Sequence, residues 1–463
     1  MTFDAVVIGA GPSGLAAAAR MACFGAKVCL LEAHGRPGGL NSWYRLNGRE
    51  ISAGLHALTN FSPSGRTGPL GKLRRQLRLD SSLFPLRPQI RSRVRFPSAE
   101  LSFTNEPEFF RSRVAAVFPR EIDGFDRFRG LVLAADEGEL TSRQSSARDI
   151  METCLRDPLL IDMLACPVMF YGNPGGVGDG GDGQRTRPDM DWLLFCVIWK
   201  CIFESGLSSP ASGMRPLWEE LLKRVPAAGG EVRLGARVER LVSAGDRVAA
   251  ARLASGEEVA GNVFFSSAGA VETSALLGEA PDRPAGRVSV AEGLALTGVS
   301  ARETGLADTV VFYSFSDRFA YRRPESLTEP ENGVVCAGGN YAPLPAAQAG
   351  QDEAPGCLKV TQLASYPAWK RLGAVAYAEA KRKTAAGMGE ALSRLGVRLP
   401  AGGEPEKRFP PFDDLFTPVT LERYARHAEA ALYGSPVKTR GGIAFRANLV
   451  LIGTDQGFPG IVG

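Results

Sequence analysis

Histidine is scarce in this chain: His34, His56 and His427 are the only three in 463 residues. Eight cysteines lie at positions 23, 29, 154, 166, 196, 201, 336 and 357, and none forms a CxxC pair or stands at zinc spacing from a histidine. A metal site is therefore not expected, and scattered thiols in a long chain read as reduced and cytoplasmic. No window reaches ~18 unbroken apolar residues, which excludes a membrane-spanning helix. No charge of one sign dominates, with 54 Lys plus Arg against 50 Asp plus Glu and a net +4, so nucleic acid is excluded as a main partner. The chain opens MTFDAVVIGAG, straight into a strand pattern, so no leader peptide is expected. No internal repeat is visible. Glycine is abundant, at 54 residues, and 44% of the chain is hydrophobic. The first points to tight turns and the second to a sizeable core.

Residues 4–8 form a short run rich in Val and Ile, as expected of a buried parallel strand. Gly9, Gly11 and Gly14 follow, then an alanine-rich helix over 15–24 that stops at Gly25. A second strand over 27–31 ends at Glu32. Strand, GxGxxG, helix and a distant acid together make a dinucleotide fingerprint. Gly9 permits the tight turn, Gly11 the approach of a pyrophosphate, and Gly14 close packing of helix on strand. The helix N-terminus offers N–H groups to phosphate, and Glu32 suits a ribose. Residues 172–190 read as a loop. Strands are expected over 231–234, 237–242, 248–253, 262–266 and 448–452, and a helical region over 366–395.

The segment Glu32-Ala-His-Gly-Arg36-Pro-Gly38-Gly39 extends the fingerprint with RxGG. With it, the sequence resembles the flavoprotein superfamily of amine oxidases, protoporphyrinogen oxidase and phytoene desaturase. The resemblance implies FAD. It assigns Gly9, Gly11, Pro12, Ser13, Gly14, Glu32, Ala33, Arg36, Gly38, Gly39 and Leu40 to the cofactor, with Arg36 meeting phosphate. The segment 208–222 is similar to the family's PxGGM stretch, with Ser212 in place of the first glycine. Val238 matches the strand that receives adenine, and Ala268 the turn after a later strand. The closing NLVLIGTDQGFPGIVG is similar to the family's last flavin motif. There Gly453, Asp455, Gly460, Ile461 and Val462 are implied to meet the cofactor. The family continues into a helix, whereas this sequence stops at Gly463, so weakened FAD retention is expected.

Residues 52–60 (SAGLHALTN) and the GxD form of the closing motif resemble the phytoene desaturase, carotenoid isomerase and retinol saturase branch. That branch implies an apolar isoprenoid or polyene, acted on by hydride exchange in desaturation, saturation or isomerisation. The rivals are a flavin amine oxidase, whose usual aromatic pair is matched near the last motif only by Phe458, and a non-catalytic FAD-binding relative. His56 has two readings, a proton-exchanging group beside the flavin or a structural histidine. His34 is expected to face solvent and His427 a surface helix, while Asp413, Asp414 and Glu422 are unselected candidate bases. Trp192, Phe195, Trp199 and Phe203 form a helical stripe. It suits the wall of an apolar tunnel, a peripheral membrane contact, or a buried core. CxxxxC at Cys196 and Cys201 is set aside as a redox pair, since no second fingerprint accompanies it. Electrons are then expected to pass to oxygen, a quinone or a separate reductase. The expected fold is α/β. A discontinuous Rossmann-like FAD domain (1–60, 208–280, 420–463) holds an inserted mixed α/β substrate domain (61–207, 281–419).

Overall fold

The computed structural model describes residues 2–54, 56–62, 67–80, 83–136, 145–171, 189–344, 356–399, 411–438 and 443–456. Two sheets organise the chain. The first is built on β1 (Thr2–Ile8), α1 (Pro12–Cys23) and β2 (Val28–Glu32). β1 pairs in parallel with β2 on one side and with Glu258–Ser266 on the other. It is thus a central strand, and its side chains divide between two faces as the period of two requires. Ala5 and Val7 pack towards α1 and the Arg215–Ala227 helix. Val6 and Ile8 pack against Leu241, Val248 and Phe264 on the opposite face, where Phe3, at the start of the strand and out of step with the alternation, joins them. Pro12 supplies the fixed φ of a first helical turn, and α1 ends where Gly25 turns to φ +81°.

Glu231–Leu234 extends this sheet beyond β2 in parallel. The long strand Glu258–Ser266 has two neighbours along its outer edge. Residues 258–260 pair antiparallel with Arg247–Leu253, and 264–266 pair in parallel with Leu449–Leu451. The chain's last described strand therefore returns beside β1's neighbour, which brings Gly453 to the carboxyl ends of the parallel strands.

The second sheet has the order Asp414–Phe416, Ser289–Leu296, Cys357–Ala364, Asn332–Ala337, Val310–Ser314, Ser92–Arg95, Glu100–Phe103. Its central strands are buried throughout except at Leu296, which is half-buried. Val311, Tyr313, Val335 and Val360 face the long helix Ala374–Arg394. Val310, Phe312 and Val334 face a helical layer that includes Pro107–Val117, Ile122–Ala134 and Trp192–Trp199.

The aromatic stripe belongs to this helical layer. Phe195, Trp199 and Phe203 are buried. Phe203 stacks on Phe110 with centroids 4.5 Å apart, and Trp199 meets Phe128 edge-on at 5.3 Å. The stripe is core, because neighbouring helices bring their own phenylalanines to meet it; it forms neither a tunnel wall nor a membrane face. After Trp199 the helix widens into a π turn, Lys200–Glu204. That change of phase leaves Phe203 in the core while Ile202 reaches the cavity described below. Among the described residues, no helix is long and apolar enough to cross a membrane.

Candidate active site

A cavity of about 1640 Å³ begins at the carboxyl ends of β1 and β2 and continues to the inner face of the second sheet. Its outer end is built by backbone. β1 turns at Gly9, where φ is +93° and the N–H donates to Leu31 O at 2.7 Å. A Cβ on Gly14 would collide with the Gly9 carbonyl, so only glycine lets α1 lie this close. Gly11 is the reverse case: a Cβ there meets nothing within 4 Å, and its bare backbone faces the cavity. No side chain caps the start of α1, so the helix terminus is left to a ligand.

Glu32 closes the other side. Its carboxylate accepts from Ala10 N–H at 2.6 Å and His34 N–H at 2.7 Å. The RxGG stretch folds back over this end. Gly38, at φ +104°, donates its N–H to Ala10 O at 2.7 Å. Gly39 rests over Gly11 so closely that a Cβ on it would lie 3.2 Å from Gly11 Cα. The Arg36 guanidinium donates to Trp43 O at 3.1 Å.

Pro12, Ser13, Ala33 and Leu40 line this end, and Val238, Ala268 and Gly453 join them from distant parts of the chain. Gly14 and Gly38 stand behind the lining. So does Asp455, whose buried carboxylate accepts from Ala270 N–H (2.8 Å), Ser435 N–H (2.7 Å) and Lys438 Nζ (3.2 Å). Gly460, Ile461, Val462 and Phe458 lie outside the described residues, as does most of the 172–190 loop. Open backbone at Gly11, an uncapped helix start and an acid at the β2 end fit a dinucleotide with its diphosphate over α1.

At the inner end His56 meets the second sheet. Its Nε2 lies 2.8 Å from Glu292 Oε2 and 2.8 Å from Thr361 Oγ1, and all three residues line the cavity. Glu292 and Thr361 are register partners in adjacent antiparallel strands, and Lys359 stands opposite Leu294 two residues along. Lys359 donates to Ser52 O at 2.8 Å. Burial alone would raise the Glu292 carboxyl. Lys359 and His56, with hydrogen bonds from His56 and Thr361, outweigh it and bring the group from 4.5 down to about 2. A carboxyl lowered in the folded state stabilises the fold above its unfolded value and loses that contribution as pH falls towards the folded value. We therefore expect Glu292→Gln to be less stable than wild type at neutral pH. The difference between them should narrow by about 3 kcal/mol between pH 4.5 and 2 in urea titrations.

Ile202, Leu207, Val310, Phe312, Val334 and Leu432 form an apolar part of the inner lining, with Tyr44 and Asp414 beside it. Tyr171 and Tyr433 also line it, stacked with centroids 4.7 Å apart. Burial raises both phenols.

The other polar candidates are placed as follows. His34 is half-buried at the lining, edge-on to Tyr424 at 5.4 Å, and its Nδ1 accepts from Arg36 N–H at 3.2 Å. His427 lies just past the Pro418–Ala425 helix, also in the lining, 3.6 Å from Glu272. Each is drawn in because the 418–427 segment packs over the outer end of the cavity. Asp413 accepts from Leu296 N–H at 2.7 Å, and Glu422 from Tyr366 OH at 2.7 Å. Asp414 lines the cavity, its carboxyl raised by burial. The Cys196 thiol is raised by burial, and Cys201 donates to Asn60. Glu292, Thr361, Tyr171 and Tyr433 are not singled out by any sequence motif. A signal for Glu292 does exist, a lone charge in the apolar run SVAEGLAL.

A model of an NAD(P)-binding Rossmann-like domain matches residues 7–70. Among curated proteins the chain is similar to phytoene desaturases and prolycopene isomerases. It is 27% identical over 288 residues to the lycopene-forming phytoene desaturase of Pseudescherichia vulneris, covering 60% of this chain and 58% of that one. It is 23% identical over 293 residues to the chloroplastic prolycopene isomerase of Daucus carota, covering 58% and 46%. The match thus spans about half the length of these relatives. Among solved structures, an oxidoreductase from Methanosarcina mazei is similar at TM-score 0.63 and 16% identity, over 97% of this chain and 94% of that one. A putrescine oxidase bound to putrescine is similar at TM-score 0.58 and 14% identity, over 97% and 93%. At these identities the two structures speak for the fold.

Proposed function

We propose that this chain binds FAD and exchanges hydride with a long apolar isoprenoid or polyene. The observation that carries the reading is the continuity of the cavity. One space joins a diphosphate cradle to a chamber walled by Ile202, Val310, Phe312 and Val334. Bound FAD supplies a hydride acceptor or donor at N5. The backbone at Gly9–Ser13 and Gly38–Gly39 holds the diphosphate, Glu32 the ribose, and Val238 the adenine edge. The 460–462 stretch completes the cofactor set assigned by resemblance; Asp455, assigned with it, stands behind the lining and braces the 435–438 segment and Ala270 instead. The apolar wall excludes water and aligns the chain of the substrate, while His56 exchanges a proton with it. Desaturation, saturation and isomerisation of C=C bonds use the same parts. Electrons are exchanged with oxygen, a quinone or a separate reductase. Strands at 2–32, 231–266 and 443–451 would form the FAD domain, and the second sheet with its helices the substrate domain. The kinship with carotenoid-processing enzymes supports this class of substrate.

The test is an absorption spectrum of the purified protein followed by solvent extraction. The expected result is a two-banded flavin spectrum and an extracted isoprenoid, turned over when supplied with reduced or oxidised cofactor. Absence of flavin after reconstitution would overturn the reading.

The second reading is oxidation of a small amine, favoured by the Tyr171–Tyr433 pair and the fold shared with putrescine oxidase. Two rings stacked 4.7 Å apart are in contact and leave no gap for a donor between them. Clear peroxide production from simple amines would decide for it.

A further inference from the structure

The His56 ring presents an asymmetry. Both of its contacts run through Nε2, to Glu292 and to Thr361. The Thr361 hydroxyl itself donates to Glu292 Oε2 at 3.2 Å. That uses its single proton, so its oxygen can face His56 only as an acceptor. The Glu292 carboxylate is acceptor-only when ionised. Two acceptors at 2.8 Å require Nε2 to carry hydrogen; a lone pair there would face an anion and a hydroxyl lone pair together. Nδ1 is then the ring nitrogen with a free lone pair, on a side chain 31% exposed in the cavity lining.

The surroundings fix this arrangement. Tyr341 OH donates to the His56 carbonyl at 2.9 Å and anchors its backbone. Lys359, buried beside Glu292, supplies the counter-charge, so the carboxylate stays an anion whichever form His56 takes. Asp414, Tyr44 and Cys336 also feel Glu292. All three are held towards their neutral forms by burial, and none is a competing cation.

We propose that Glu292 is a positioning residue. It holds His56 as the Nε2–H tautomer and thereby makes Nδ1 the atom that exchanges a proton with the substrate. The tautomer stands on geometry; its use in turnover rests on the proposed hydride chemistry. In the desaturation direction, one C–H bond breaks and its electron pair leaves as hydride to the oxidised flavin. The C–H bond on the neighbouring carbon then breaks. Its electron pair becomes the new π bond and its proton passes to His56 Nδ1. The resulting imidazolium donates from Nε2 to Glu292. Saturation reverses each transfer. The partner of a ring nitrogen commonly sets a histidine's tautomer in this way.

The test uses the full chain loaded with FAD and labelled with 15N-histidine. Only three histidines contribute, and His56→Gln assigns the signal. Long-range proton–nitrogen correlation on the neutral ring should give the Nε2–H pattern in wild type and in Thr361→Val, which keeps the carboxylate. Glu292→Gln should show a mixture of tautomers. An Nδ1–H pattern in wild type overturns the proposal without need of any variant. With a polyene that the wild type converts, Glu292→Gln should lower kcat about 100-fold, with KM held within about twofold. Glu292→Asp should restore part of the loss. An unchanged kcat in Glu292→Gln overturns the role in proton exchange. If wild type converts no polyene, the proposed reaction fails, and the nitrogen spectrum still decides what Glu292 does to His56.

Discussion

Gly14→Ala should destabilise the protein by more than about 3 kcal/mol even without cofactor, whereas Gly11→Val should cost the apoprotein about 1 kcal/mol or less, as a poorer helix cap, and remove its affinity for FAD. The two glycines stand three residues apart in one motif, and their environments are opposite. At Gly14 a Cβ would meet the Gly9 carbonyl and would lie 3.0 Å from Ser267 Oγ. Neither can yield, because Ser267 is tied to Ile8 O at 2.9 Å. Relief would require α1 to move off a central strand. At Gly11 the backbone has φ −68° and ψ 175°, which any residue adopts, and the added carbon meets nothing. Its valine side chain would instead occupy the diphosphate position. Urea unfolding of the apoproteins should separate the two variants by about 2 kcal/mol or more. FAD titration of Gly11→Val should show at least a ~100-fold loss, corresponding to a cost of about 3 kcal/mol. Equal apoprotein stability for both would refute the packing argument.

Asp455→Ala should cost about 3–5 kcal/mol of stability, with or without FAD. The carboxylate lies in the turn after the last described strand and accepts from three donors, Ala270 on one segment and Ser435 and Lys438 on another. One donor is Lys438, whose own charge is disfavoured by burial and supported by Asp455. Removing the anion strands a buried ammonium and two backbone N–H groups. Gly434, at φ +62°, leaves room for this carboxylate, since a Cβ there would run into it. Asp455→Asn should fall between alanine and wild type, because an amide oxygen can still accept one bond. If Asp455→Ala kept its urea midpoint as apoprotein and lost only FAD, the residue would act through the ligand instead.

The N-terminal end of the chain was the most readable because its chemistry is local. Gly9 to Glu32 needs one βαβ unit, in which Gly9 and Gly14 are demanded by close contacts and Gly11 is left open to the cavity. Val238, Ala268 and Gly453 were reached through resemblance; no spacing in the sequence says that they converge on Gly11. The Glu292–His56–Thr361 cluster was half visible. His56 stood out as one of three histidines, but its partners come from strands whose pairing is set by register across nearly seventy residues. A shift of one residue in that register would point Glu292 into the opposite layer. The aromatic stripe showed the reverse problem. Its helical period was plain, yet what it faced depended on Phe103, Phe110, Phe125 and Phe128. The π turn at 200–204 leaves no recognisable mark in sequence.

The pairing of β1 also dictates an order of events during synthesis. Its partner Glu258–Ser266 begins roughly 250 residues after β1 ends, and that strand awaits Leu449–Leu451 in turn. At ~5–20 residues per second, β1 and β2 leave the ribosome about 12–50 s before the neighbour that covers the open edge of β1. Throughout that interval an apolar strand edge with the sequence AVVI stays unpaired, which is a template for wrong association. A nascent chain of this topology should therefore recruit holding chaperones early. Its yield in a cell-free system should rise when they are added at the start and change little when they are added after termination.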